Sequence, residues 1–237
     1  MTGNAKGKRQ GGRALKGLVL RALETGDETE ALDLLAHIPA RALVSPLFGA
    51  LHRMEPRVHW TAVRVMGAVA AGLARENMEE ARVVLRRMMW NLNDESGGIG
   101  WGVPEAMGEV LARHEGLAEE FTNILASYTR EEANYLEHEP LQKGLLWGVA
   151  RLARARPELL RAAGPGLSRF LKADDPVLRG LAAHAAGLLG LEEARSALEL
   201  LLRDNAEITE DLGGVLSLSC IRDIAAKALE HIDQGGR

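Results

Sequence analysis

Apolar residues recur at three- and four-residue intervals along most of this chain, the period of amphipathic helices. Leu15, Leu18, Val19, Ala22 and Leu23 share one face; Thr25-Gly26-Asp27 breaks the run, and a second helix is predicted from Glu28 to Ile38, stopped by Pro39. A third apolar run covers Leu43 to Met54, ahead of Glu55-Pro56. A clearer pair follows, Trp60 to Ala74 and Met78 to Leu92, with the turn at Glu76-Asn77. In its second member Ala81, Val84, Leu85, Met88 and Leu92 form the packed stripe, and Arg82, Arg86 and Asn93 project elsewhere.

Downstream the chain repeats itself. Pro104-Glu-Ala-Met-Gly108, Pro140-Leu-Gln-Lys-Gly144 and Pro176-Val-Leu-Arg-Gly180 stand 36 residues apart. Proline suits the first helical turn, where its missing N–H has no intrahelical partner, and glycine four residues later lets a neighbouring helix approach. The partner helices are predicted over Leu117 to Tyr128, over Glu158 to Lys172 with a break at Gly164-Pro165-Gly166, and over Leu191 to Arg203. An acidic loop with Asp204, Glu207, Glu210 and Asp211 then precedes a last helix from Cys220 to Glu230. Helix pairs at this period predict an all-α, right-handed α-solenoid, here of five to six pairs, in which no unit buries its apolar face alone. Residues 14–237 are expected to form this single domain. Met1 to Arg13 is basic and nearly free of apolar residues, and is expected to be a flexible arm.

Asp175-Pro-Val-Leu-Arg-Gly-Leu-Ala-Ala-His-Ala-Ala-Gly-Leu-Leu-Gly190 resembles the first helix of a HEAT repeat, in particular the short type found in phycobilisome-lyase-like proteins. Arg179 matches that repeat's arginine, and Ala182, Ala183, Ala186 and Gly187 match its small packing positions. Ile221 to Leu229 resembles it less completely. The likeness extends over about Trp60 to Ile232 and more weakly over Ala14 to Met54. It implies an architecture whose second helices line the concave face. It fixes no chemistry, because HEAT-like folds host scaffolds, lyases, hydroxylases and DNA glycosylases.

Composition narrows the classes further. With 237 residues and 46% hydrophobic content the chain folds; with 4% aromatics it favours helices over sheets. A net charge of −4 and a pI near 6.0 argue against a dedicated nucleic-acid binder. The lone Cys220 permits no internal disulfide and no thiol-rich metal site. No signal peptide or membrane span is expected, and the expected compartment is the cytoplasm.

One stretch departs from the paired-helix pattern. Trp90 to Glu109, WNLNDESGGIGWGVPEAMGE, gathers two tryptophans, two asparagines, four carboxylates and five glycines, with a Gly/Trp/acid-rich insert over 90–104. Long connections in compact domains carry function more often than short turns do. Arg82, Arg86, Trp90 and Asn93, at i, i+4, i+8 and i+11, would form a ridge leading into the insert, joined by Asp94, Glu95, Trp101, Glu105 and Glu109 as a partner-binding surface. A purely structural reading has the two tryptophans pin a connecting loop.

An enzymatic reading uses the same place. Trp90 and Asp94 have the four-residue spacing of a tryptophan and an aspartate in HEAT-like alkylpurine DNA glycosylases, without the second acid of that motif. His114-Glu115 and His138-Glu139 fall at predicted helix ends and do not make up the four His-Glu pairs of a di-iron deoxyhypusine hydroxylase. Gly97-Gly-Ile-Gly-Trp-Gly102 follows a helix and lacks the lysine and hydroxyl of a phosphate loop. The four carboxylates lack EF-hand spacing and read as a solvated acidic rim. Cys220 has no histidine nearby in sequence and reads as a buried residue opening the last helix. The sequence thus favours a non-enzymatic scaffold for a protein partner, with no metal and no cofactor, and a partner other than nucleic acid or membrane.

Overall fold

The structure, a computed structural model, describes residues 11–93, 100–160, 164–211 and 216–235. α1 (Gly12–Leu23), α2 (Glu28–Leu35) and α3 (Ala40–Leu51) open the chain. α4 (Pro56–Glu76) and α5 (Met78–Leu92) meet at Asn77, whose side chain caps α5 by accepting the Glu79 N–H at 3.1 Å. α6 (Val103–Arg113) pairs with α7 (Glu115–Ser127), and α8 (Glu139–Ala155) is followed by α9 (Pro157–Leu160), α10 (Gly164–Leu167) and a 3-10 turn, Phe170–Lys172. α11 (Pro176–Leu189), α12 (Arg195–Leu201) and α13 (Ile221–Asp233) complete the array.

Two layers result. α3, α4, α6, α8, α11 and α13 stack in that order as one layer, and α5, α7, α9, α10 and α12 pack on its other side. The molecule is an all-α solenoid. Pro104, Pro140 and Pro176 each lie in the first turn of a first-layer helix, as their spacing predicts. Glycine then sets how close the layer packs. A Cβ on Gly108 would stand 2.3 Å from the Gly148 Cα and 2.4 Å from its carbonyl oxygen, so α6 and α8 touch backbone to backbone. Gly187 meets Ala228 of α13 in the same way, at 2.5 Å from its Cα. Arg179 ties units together: it donates to Asp204 at 2.8 Å and to the Ala173 and Asp174 carbonyls at 2.8 Å.

The acidic loop expected after Arg203 is instead a β-hairpin, β1 (Glu207–Asp211) antiparallel to β2 (Leu216–Cys220), with Ile208 opposite Ser219. Ile208 is buried because Gly180 of α11 leaves a slot for it; a Cβ there would meet Ile208 Cδ1 at 2.5 Å. The last helix accordingly starts one residue later than expected, and Cys220 precedes it, half-buried rather than in the core. Among the described residues no helix is long and apolar enough to cross a membrane.

Candidate functional site

Of the nine residues singled out by sequence, the seven that are described divide between two faces of the solenoid. Arg82, Arg86 and Trp90 lie along α5 in the second layer. Arg82 donates to the Glu120 carboxylate of α7 at 2.8 and 2.6 Å and lies 3.5 Å from Glu79, while Arg86 pairs with Glu79. The Arg86 hydrogen bond holds the Glu79 carboxyl below its ordinary range, and that from Arg82 does the same to Glu120. Both arginines are therefore committed to neighbours. Trp90 is not: it is 76% exposed, and Val83, seven residues earlier on the same face, is 54% exposed. Between them Arg87 lies over the Phe48 ring, 4.1 Å from its centroid. Asn93 hydrogen-bonds the Tyr128 hydroxyl, whose pKa burial pushes up and this bond partly restores. Asp94 and Glu95 lie outside the described residues.

Glu105 and Glu109 do not join that face. Both turn into the first layer, so the solvated acidic rim does not form at these positions. Glu109 is 2% exposed; Arg151 of α8 donates to it at 2.6 and 3.3 Å, and Arg113 at 2.5 Å. Arg113 in turn forks onto Glu28 of α2 at 2.7 and 2.8 Å. Two carboxylates and two guanidiniums thus compensate one another, as buried charge requires. With both oxygens held by arginines, Glu109 is not placed to act as a free base.

Above this network Trp60 of α4 and Trp147 of α8 meet across α6, ring centroids 4.8 Å apart. The close approach of α6 to α8 at Gly108 and Gly148 helps the two tryptophans reach each other over α6. His59, edge-on to Trp60 at 5.1 Å, places Nε2 at 3.7 Å from Glu105 Oε1 and Nδ1 at 3.2 Å from the Leu51 carbonyl. The Glu105 carboxylate fills the space that Gly144 leaves on α8, where a Cβ would come within 2.4 Å of it. Among the described residues its Oε2 is buried without a hydrogen-bond partner. Trp101 is half-buried, edge-on to His138 at 5.6 Å, and so links the start of α6 to that of α8.

Sequence reasoning missed His59, Trp60, Trp147 and Arg151 as parts of one cluster on the first-layer helices. Each looks like ordinary helix packing, and only the 36-residue register, projected onto a common face, could have grouped the residues of α6 and α8. His114 and His138 stand at the helix starts, as expected. Among the described residues no three His, Cys, Asp or Glu side chains converge as a metal site would need.

The chain matches no family model and no curated protein sequence. Its similarities are to solved structures. An engineered protein has 15% identity and a TM-score of 0.58, covering 97% of this chain and 94% of its own. A designed armadillo repeat protein has 18% identity and a TM-score of 0.57, covering 97% and 96%. A second designed armadillo repeat protein, solved in complex with the peptide (KR)4, has 17% identity and a TM-score of 0.54, covering 92% and 99%. At these identities the likeness is one of fold, and by fold the chain is a helical repeat solenoid.

Proposed function

We propose that this chain is a non-enzymatic recognition scaffold of the short HEAT type that binds a protein partner through the outward face of α5. The observation that carries the reading is Trp90, a large aromatic side chain 76% exposed, with Val83 also exposed on the same stripe. Tryptophan flanked by arginine is the composition of interface hot spots, and exposed apolar surface rimmed by charge commonly marks a protein contact. The ion pairs of Arg82 and Arg86 with Glu79 and Glu120 keep those side chains ordered before binding, which lowers the entropic cost of association. Solenoids of this fold include a designed protein that holds a (KR)4 peptide, and such a scaffold needs no catalytic group.

A photo-crosslinking residue at position 83 should capture the partner from the source organism, and the purified partner is then titrated against wild type and Trp90→Ala. Loss of a hot-spot tryptophan of at least about 2 kcal/mol corresponds to roughly thirtyfold weaker binding, at unchanged melting temperature because Trp90 is exposed. Equal affinity of wild type and Trp90→Ala would overturn the assignment.

A further inference from the structure

The turn that leads into α6 is seated on a titratable pair. Gly102 adopts φ 72 and has no room for a side chain: a Cβ would stand 2.8 Å from the Leu51 carbonyl oxygen and 2.9 Å from His59 Cε1. Gly100 packs on the other side of this turn against the Asn91 carbonyl of α5, 3.0 Å from where its Cβ would be, next to Trp90. His59 therefore forms part of the floor on which residues 100–102 rest.

Both neighbours of the His59 ring are acceptors. From α3 it faces the Leu51 carbonyl, from α6 the Glu105 carboxylate, and its own helix adds the Trp60 ring. From α8, Gly144 lies behind Glu105 and Trp147 meets Trp60; the adjacent cation, Lys143, is engaged by Glu139 at 3.4 Å and Asp175 at 2.6 Å. A neutral imidazole carries one N–H, so in either tautomer a ring lone pair would face an oxygen. A second ring proton removes the conflict. Among the described residues Glu105 Oε2 has no hydrogen-bond donor.

We infer that the His59–Glu105 pair is a proton-operated latch on the Gly100–Gly102 turn: with its extra proton it holds α3, α4, α6 and the turn in one arrangement, and on losing that proton it releases the turn. Burial, the largest influence on His59, works downward, but the Glu105 carboxylate and the Leu51 carbonyl outweigh it and leave the pKa raised. The latch is thus closed at mildly acidic pH and opens as pH rises. Its effect on the neighbouring Trp90 face rests on the function proposed above; the latch itself does not.

The test is a titration of the full chain from pH 5 to 9 by NMR, following the His59 Cε1–H and the Gly102 amide. A shared inflection above the ordinary histidine value of about 6.5 is expected. Glu105→Gln should move the His59 inflection downward and erase that of Gly102. A Gly102 amide that ignores the His59 titration, or a His59 inflection at or below the ordinary value, would overturn the latch. Both of those outcomes are read on wild type alone, so the test does not depend on the variant folding. Partner affinity of Trp90→Ala is measured separately, and its failure would leave the titration standing.

Discussion

At the scale of single residues, buried charge has a definite arrangement here and a definite consequence. Glu109 is enclosed, with Arg113 and Arg151 at 25% and 30% side-chain exposure. Removing the carboxylate leaves two guanidiniums facing each other with Glu28 alone to compensate them. Breaking a buried pair costs about 3–5 kcal/mol, and since the arginines are partly hydrated Glu109→Gln should fall near the low end, read as a lower urea midpoint. Replacing Glu109 and Arg151 together by Leu and Met should cost less than Glu109→Gln, because only Arg113 then faces the vacated site and Glu28 still compensates it. His59 gives the pH dependence. Its folded pKa is raised, so its contribution is complete below the unfolded value of about 6.5 and is lost as pH rises through the folded value. The melting temperature of wild type relative to His59→Ala should therefore be highest near pH 5 and shrink toward pH 8. A difference independent of pH would mean that His59 acts by packing alone.

At the scale of the helix, one residue type has opposite effects according to what faces it. Gly49 is exposed within α3 with no atom within 4 Å of a built Cβ, so Gly49→Ala should stabilise by about 0.5–1 kcal/mol, the helical penalty of glycine. Gly108→Ala forces a methyl into the backbone of Gly148, which cannot rotate away, and should destabilise through separation of α6 from α8. Gly187→Leu against Ala228, and Ala183→Asp at a fully buried site, should do so more severely. Thermal melts of the four variants check the assignment together, and a Gly108→Ala protein as stable as wild type would show that the two helices are not in contact.

For the whole molecule, stability follows from neighbours in the layer. α11 is covered on one side by α8 and on the other by α13 and Ile208 of the hairpin. A chain ending at Arg203 would strip Ile208, Ile221, Ile224 and Ala228 from the face of α11 that carries Gly180 and Gly187, and no unit of a solenoid buries its face alone. Such a truncation should melt lower and bind a hydrophobic dye that the full chain excludes. Undiminished stability would show that α13 is an appendage rather than a terminal cap.

What the sequence determined by itself is the set of local rules. α5 runs from Met78 to Leu92, the bounds its apolar period predicts, because a capping asparagine and a continuous stripe act within a few residues. The prolines 36 residues apart mark helix starts for the same reason, and their repetition implies stacking. The hairpin escaped because a five-residue strand leaves little periodicity to read, and the slot that buries its Ile208 is made by Gly180 far along the chain. The fate of the acids was decided only by tertiary structure. An acid in the first turn of a helix reads as exposed and dipole-complementing, and nothing local distinguishes Glu105 from Glu79. Glu105 and Glu109 are buried because Gly144 and Gly67 leave space for them and because His59, Arg113 and Arg151 arrive from three different helices to face their charge. Helices form from neighbouring residues, whereas the solvation of a charge depends on which distant residues the stacked layer brings beside it.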